Sequence, residues 1–344
     1  MTKLLIVLFG LCAVVNAVSP CALNEWNAFK LQYSKQYQNE TEENYRMEVF
    51  SENKRTINEH NDLYAKGLVS YKMDINQYSD LTSEEFVRRM NGVKPPDMLQ
   101  SVQGAEAEER DYFVGSVNFH LPKMIDWRKV GAVSEVKDQK DCGSCWAFAA
   151  TSAIESQQYL KKNGPLQPLS VQNLIDCASI SLFELEYMNT GCDGGIVDEA
   201  YKYVKDHGID TEKSYPYRAS NGFCKHSFHK NHVFIRGFKD IPRGNELKLQ
   251  EAIATVGPIS VAVDASQMSF QHYKSGIYNE TNCSSDTYDH SALIVGYGTD
   301  ENGADYYIVK NCWGRDWGED GYIRMPRNQN NHCSIASYAN YPVV

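Results

Sequence analysis

Polar and apolar positions alternate along this chain in three different rhythms, and each rhythm marks a region. After an apolar run from Leu4 to Val15, the stretch from Glu25 to about Asn61 is polar and helix-forming, with neither Gly nor Pro. Within it Glu42, Arg46, Phe50, Asn53, Ile57 and Asn61 fall at steps of four, four, three, four and four, which puts all six on one side of a helix. Past Met90 the periodicity stops. Asn91-Gly92, Pro95-Pro96 and the acidic stretch Ala105 to Asp111 read as an exposed, cleavable linker.

Apolar helical patterns return between about 121 and 230. Trp146, Ala147, Phe148, Ala149, Ala150, Ala153 and Ile154 form one buried helix ended by Asn163-Gly164-Pro165, with Ser144 a candidate N-cap. A second follows Ser170, from Val171 to Cys177. A third runs from Ile196 through Ala200 and Val204 to a C-cap at His207-Gly208. After Val233 the pattern turns to strands: Ile259 to Val263, Ala292 to Gly298 and Tyr306 to Lys310, β-branched and aromatic between Gly and Pro. A helical half followed by a strand-rich half predicts an α+β protein with a cleft between two lobes.

The chain has 344 residues, 42% of them hydrophobic, enough for a two-part core and an accessory region. A net charge of −10 leaves no basic footprint for nucleic acid or anionic lipid. The first apolar run, with Lys3 before it and small residues at Asn16-Ala17-Val18-Ser19, reads as a secretory signal over 1–17, too short to span a bilayer. Export would put the rest where disulfides persist, in a lysosome or outside the cell.

Cys145 opens the apolar helix, where unpaired N–H groups and the helix dipole favour a thiolate. Its neighbour Cys142 leaves other readings: a structural pair, a redox CxxC or half a zinc site. A second CxxC is absent, and the secretory signal argues against a cytosolic redox role. A cysteine nucleophile needs a base. Of nine histidines, His290 stands directly before an apolar strand, where a strand end would aim it at a crevice. His226, His229 and His232, three apart, are either a metal site or a solvated loop, the latter favoured without further ligands. Asn311, immediately after a strand, fits the orienting third member.

The run Cys142-Gly143-Ser144-Cys145-Trp146, with a histidine 145 residues beyond Cys145, resembles the papain family, and cathepsin L-like members of it in particular. The six helical positions match that family's ERFNIN propeptide motif, and Asn76, Tyr78 and Asp80 resemble a second one, with Asp74 in place of Gly and Tyr78 in place of Phe. The resemblance implies a helical left lobe, a β-barrel right lobe and a helical inhibitory propeptide over 18–117 whose tail blocks the cleft. The peptidase domain would cover 118–344, its start falling between Val114 and Leu121, because Leu121 to Arg128 resembles the family's mature N-terminal segment.

Roles follow by resemblance. Cys145, His290 and Asn311 would be catalytic, with Trp313 shielding the Asn–His hydrogen bond and Gln139 donating to the oxyanion. Cys312 replaces the family's Ser, leaving a free, reactive thiol as a side consequence, and Lys140 replaces a Gly, carrying strain if that position needs positive φ. A thiolate at Cys145 is expected to persist in acid. Disulfides are implied for Cys142–Cys192, Cys177–Cys224 and Cys283–Cys333. Gly194 and Gly195 would pair with an extended substrate, Asp289 would flank it, and Ile196, Val197, Ala262, Tyr288 and Tyr338 would line the S2 pocket. Asn39, Asn279 and Asn282 head glycosylation sequons.

Together these imply a cysteine endopeptidase made as a self-inhibited zymogen, without metal or organic cofactor. Its partners would be protein and peptide substrates, its own propeptide and cystatin-type inhibitors, with no nucleic acid or membrane, and the protein a monomer. A non-catalytic relative would be expected to have replaced the nucleophile. A protease inhibitor would need only the propeptide, whereas this chain also has a full catalytic set.

Overall fold

The polar N-terminal run folds as two helices, α1 (Pro20–Gln32) and α2 (Glu40–Ala65), rather than one. Between them Ser34 takes a left-handed backbone, and Asn39 Oδ1 accepts the Glu42 N–H at 2.9 Å, capping α2. Arg46, Phe50, Asn53 and Ile57 are buried as their spacing predicts. Trp26 and Phe29 of α1 close on Phe50 in a small core of their own. The computed structural model describes residues 20–93, 110–116, 120–162, 164–179, 187–225 and 232–344; the signal at 1–17 and the junction at 117–118 lie outside them.

A short strand, β1 (Tyr71–Met73), leads to α3 (Ser83–Met90), which opens with a capping box between Thr82 and Glu85. Two buried side chains of the second motif tie this region down. Asn76 Nδ2 donates to Gln271 O at 2.8 Å, and Asp80 takes Lys35 Nζ at 2.8 Å and Tyr37 Oη at 2.9 Å. β1 pairs antiparallel with β5 (Tyr273–Gly276), stitching the N-terminal region to the C-terminal lobe.

The helical lobe is built on α4 (Cys145–Lys162), buried from Cys145 to Gln157. Against it lie α5 (Val171–Cys177), capped by Ser170, and α6 (Val197–His207), which ends at Gly208 with φ 77°. The second lobe is an antiparallel sheet of order β3-β9-β4-β6-β7-β8, with β2 (Ile125–Asp126) also paired to β6. Its strands are β3 (Gly237–Asp240), β4 (Ile259–Val263), β6 (His290–Thr299), β7 (Asp305–Lys310), β8 (Tyr322–Pro326) and β9 (Ala339–Val343). Helix α7 (Glu246–Thr255) interrupts the strand region and has no counterpart in the sequence reading. Its Glu246, Gln250 and Glu251 are buried, so polarity hides its inward face.

Three disulfides form as the resemblance implied: Cys142–Cys192, Cys177–Cys224 and Cys283–Cys333. Each closes a loop of 47 or 50 residues, worth about 4 kcal/mol against the unfolded chain in the loop-entropy account. Helix α4 packs on β6, and Cys145 is the first residue of that helix as His290 is of that strand.

Candidate active site

Cys145 is the first residue of α4, and Ser144 precedes it in the capping position, its carbonyl accepting the N–H groups of Ala147 and Phe148. The Ser144 hydroxyl does not cap. It bonds Tyr217 Oη at 3.0 Å and donates to Cys142 O at 3.3 Å, so the expected side-chain cap is replaced by a tie to a neighbouring loop. The Cys145 thiol faces the backbone of Ser291, Gly92 and Trp146. Ser291 directly follows His290 at the start of β6.

His290 Nε2 lies 2.8 Å from Asn311 Oδ1. An amide oxygen only accepts, so that contact fixes the proton on Nε2 and leaves Nδ1 as the basic nitrogen. Nδ1 is buried without a hydrogen-bond partner among the described residues. The Trp313 ring sits 4.5 Å from the imidazole and is itself fully buried, which keeps water off the His–Asn contact.

Gln139 is held at both ends of its amide. Trp313 Nε1 donates to Oε1 at 3.1 Å and Cys312 Sγ at 2.9 Å, which turns Nε2 towards Met90 O at 2.9 Å and Cys142 O at 2.8 Å. Cys312 is therefore not the reactive thiol expected of it: it is buried, and burial pushes its thiol well above the usual range. Lys140 has φ 53°, the left-handed conformation in which a glycine would be unstrained. Of the three clustered histidines, His226 and His229 lie outside the described residues. His232 is no solvated side chain; it is buried, with Nδ1 3.5 Å from Asp210 Oδ1.

The groove is filled by the chain's own residues 90–93, where an exposed linker was expected. Gly92 is buried, and a Cβ there would stand 2.0 Å from Gly143 O. Gly195 N donates to Gly92 O at 2.8 Å and Val93 N to Asp289 O at 3.0 Å. Asn91 Nδ2 reaches Asp289 Oδ2 at 2.8 Å. The linker is also docked further on: Phe113 N donates to Asp240 O at 2.8 Å at the end of β3, and Lys248 Nζ of α7 donates to Val114 O at 2.9 Å.

Filling the groove changes its charge state. Burial pushes the Cys145 thiol up to about 11, although the surrounding backbone groups work against it. Burial takes His290 down to about 4. In the closed chain burial thus disfavours the charged form of both groups, whereas the persistent thiolate expected from sequence belongs to the open enzyme in acid.

Residues 121–343 match the family described as papain family cysteine protease, and residues 26–86 match the cathepsin propeptide inhibitor domain. The chain is a papain-family cysteine protease. It is 48% identical over 345 residues to a cathepsin L-like peptidase of Aedes aegypti, covering 99% of this chain and all of that one. It is 43% identical over 324 residues to procathepsin L of Rattus norvegicus, covering 93% of this chain and 92% of the relative. The solved digestive procathepsin L 3 of Tenebrio molitor larval midgut superimposes with a TM-score of 0.85 at 40% identity, covering 95% of this chain and all of that one. The fold is papain-like α+β, and the chain is a cathepsin L-like zymogen carrying its inhibitor domain.

In this protease Gly195, which pairs with Gly92, has no room for a side chain: a Cβ would meet Asn189 Oδ1 at 2.3 Å. Tyr288 and Tyr338 stack with ring centroids 5.8 Å apart, and Ala262 N donates to Tyr338 O at 2.8 Å. Val197 opens α6 and Ile196 precedes it, its N–H held by Asn189 Oδ1 at 2.8 Å. The sequons Asn39, Asn279 and Asn282 are all exposed, although Asn39 also caps α2. Among the described residues no helix is long and apolar enough to cross a membrane.

The resemblance implied a propeptide tail that blocks the cleft, but the sequence did not place it at residues 90–93. Asn91-Gly92 was its one visible signal, and that dipeptide reads equally well as a turn.

Proposed function

We propose that Cys145 is the nucleophile of this endopeptidase, His290 its acid/base, Asn311 the residue that orients His290, and Gln139 an oxyanion donor with the Cys145 N–H. The observation that carries this reading is the contact of Gln139 Nε2 with Met90 O at 2.9 Å. A peptide carbonyl from the inhibitory segment occupies the donor that a substrate's oxyanion would use.

Once that segment leaves, water returns and the burial that keeps both groups neutral is relieved. The Cys145 proton passes to His290 Nδ1, and Sγ attacks a substrate carbonyl while Gln139 Nε2 takes the oxyanion. His290 then gives its proton to the departing amine, the C–N bond breaks, and a Cys145 thioester remains. Water, deprotonated by His290, hydrolyses the thioester and restores the thiol. No step draws on a metal or cofactor.

Gly194 and Gly195 would pair with the substrate backbone, with Asp289 and Trp313 flanking it. Ile196, Val197, Ala262, Tyr288 and Tyr338 would form S2. Processing between Val114 and Leu121, action in a lysosome or outside the cell, a monomeric state and inhibition by cystatin-type proteins complete the reading. Its test is kinetic, on acid-processed protein with a fluorogenic peptide. Gln139→Ala should lower kcat about 100- to 1,000-fold, and Cys145→Ser or His290→Ala should abolish turnover. Near-normal kcat in Gln139→Ala would remove Gln139 from the mechanism, and turnover by Cys145→Ser would overturn the assignment.

A further inference from the structure

Next to Tyr338 of the proposed S2 pocket, two carboxylates of the peptidase domain face one another with little access to solvent. Asp198, in the first turn of α6, and Asp240, at the end of β3, are 4% and 5% exposed. A single atom serves both: Arg110 Nη1 lies 2.8 Å from Asp240 Oδ2 and 3.3 Å from Asp198 Oδ2. Asp198 also takes two neutral partners, Asn340 Nδ2 at 2.6 Å and the Tyr338 hydroxyl. Burial and the neighbouring Asp240 raise Asp198 above the usual carboxylate range, and burial raises Asp240 as well. Two carboxylates in so dry a place need a cation, and the Arg110 guanidinium supplies it to both through Nη1.

Arg110 lies two residues before a single bridge, Tyr112 with Asp240, at the end of β3. Asp240 N donates to Asp111 O at 2.9 Å and Phe113 N donates to Asp240 O at 2.8 Å, giving a parallel bridge on the free edge of β3. Three residues after Arg110, Phe113 meets the edge of the Tyr341 ring, centroids 6.3 Å apart. The contact thus has the parts of strand addition: main-chain hydrogen bonds for affinity, and two side-chain sites that read an arginine and an aromatic. All of its receptor residues belong to the peptidase domain, while Arg110 and Phe113, the two side chains it reads, lie before the expected processing junction.

We propose that the β3 edge and the Asp198–Asp240 pair form a peptide-docking exosite on the processed enzyme, which takes an extended segment bearing Arg with an aromatic residue three positions later. In the zymogen it is filled in cis by residues 110–116, and after processing the excised linker is its occupant in trans. The inference rests on the protease reading only in needing residues 110–116 to be cut away.

The test uses acid-processed enzyme whose active-site thiol is blocked with an epoxide inhibitor, so that the catalytic groove is filled. A fluorescent peptide of residues 108–116 is titrated and its anisotropy read. Saturable one-to-one binding is expected, weaker on the order of tenfold or more for the Arg110→Ala peptide and for Asp240→Asn enzyme. The intact zymogen should bind none. Equal affinity of the two peptides, or no binding to fully titrated enzyme, would overturn the exosite and leave the protease reading standing. So would N-terminal sequencing that finds residues 110–116 still attached. Failure to take up one epoxide equivalent would instead remove the protease reading, and the exosite with it. The Arg110→Ala peptide leaves the enzyme's fold untouched, so the comparison holds even if Asp240→Asn destabilises the domain.

Discussion

Gly92 passes so close to Gly143 that a single added carbon on the former would stand 2.0 Å from the carbonyl oxygen of the latter. The inhibitory segment is thus seated by backbone contact at the point where it crosses in front of Cys145. Gly92→Val should unseat it, since overpacking at a rigid contact costs about 1–3 kcal/mol. Activation of the purified zymogen, followed by fluorogenic substrate at stepped pH, should begin at higher pH and proceed roughly ten- to a hundredfold faster. An unchanged activation profile would show that residues 90–93 do not control the cleft.

The pH dependence of alkylation reports the thiol directly. Burial raises Cys145 to about 11 in the zymogen, so its thiolate fraction grows only as pH climbs well past neutrality. Iodoacetamide should label intact zymogen negligibly between pH 5 and 8, with the rate rising only in alkali. The processed enzyme should label readily below pH 7, where the thiolate–imidazolium pair forms. A low-pH limb in the intact zymogen would contradict the closed groove.

Lys140 holds a left-handed backbone at φ 53° beside the oxyanion donor. Left-handed geometry costs a side-chain-bearing residue about 1–2 kcal/mol, partly offset in Lys140→Gly by the freer unfolded chain. The variant should gain up to about 1 kcal/mol in urea denaturation, with kcat held. A loss of stability would mean that Lys140 makes compensating contacts.

Arg46 anchors the inhibitor domain, its Nη1 donating to Glu85 at 2.6 Å and to Asp80 O at 3.2 Å. Removing one partner of a largely buried pair is expensive, about 3 kcal/mol here. Arg46→Ala should lower the melting temperature of the intact zymogen and speed its activation, leaving the processed enzyme unaffected. An unaltered zymogen would place the anchor elsewhere.

The stacked Tyr288 and Tyr338 narrow the proposed S2 pocket, and no acid takes the Tyr338 position. Dipeptidyl substrates varied at P2 should be cleaved best with Leu or Val. A preference for Phe or Arg in kcat/KM would contradict that pocket.

What the sequence disclosed and what it hid divide along physical lines. Cys145, His290 and Asn311 were legible because their chemistry demands particular residue types at a helix start, a strand start and a strand end. The ERFNIN positions were legible because burial at helical spacing leaves a periodic trace. Met90 and Val93 were not, since the occluding segment works through a carbonyl and an N–H that any residue supplies. Arg110 was one base in an acidic run, and only folding brings it to Asp198 and Asp240. Helix α7 escaped because its inward face carries glutamates and a glutamine.

Mapping the adduct of an epoxide thiol-protease inhibitor by peptide mass spectrometry tests the centre of the account. One equivalent should appear on Cys145 after acid processing and essentially none on the intact zymogen, with Cys312 unlabelled in both. Labelling of Cys312 in place of Cys145, or equal labelling before and after the N-terminal segment is lost, would contradict it.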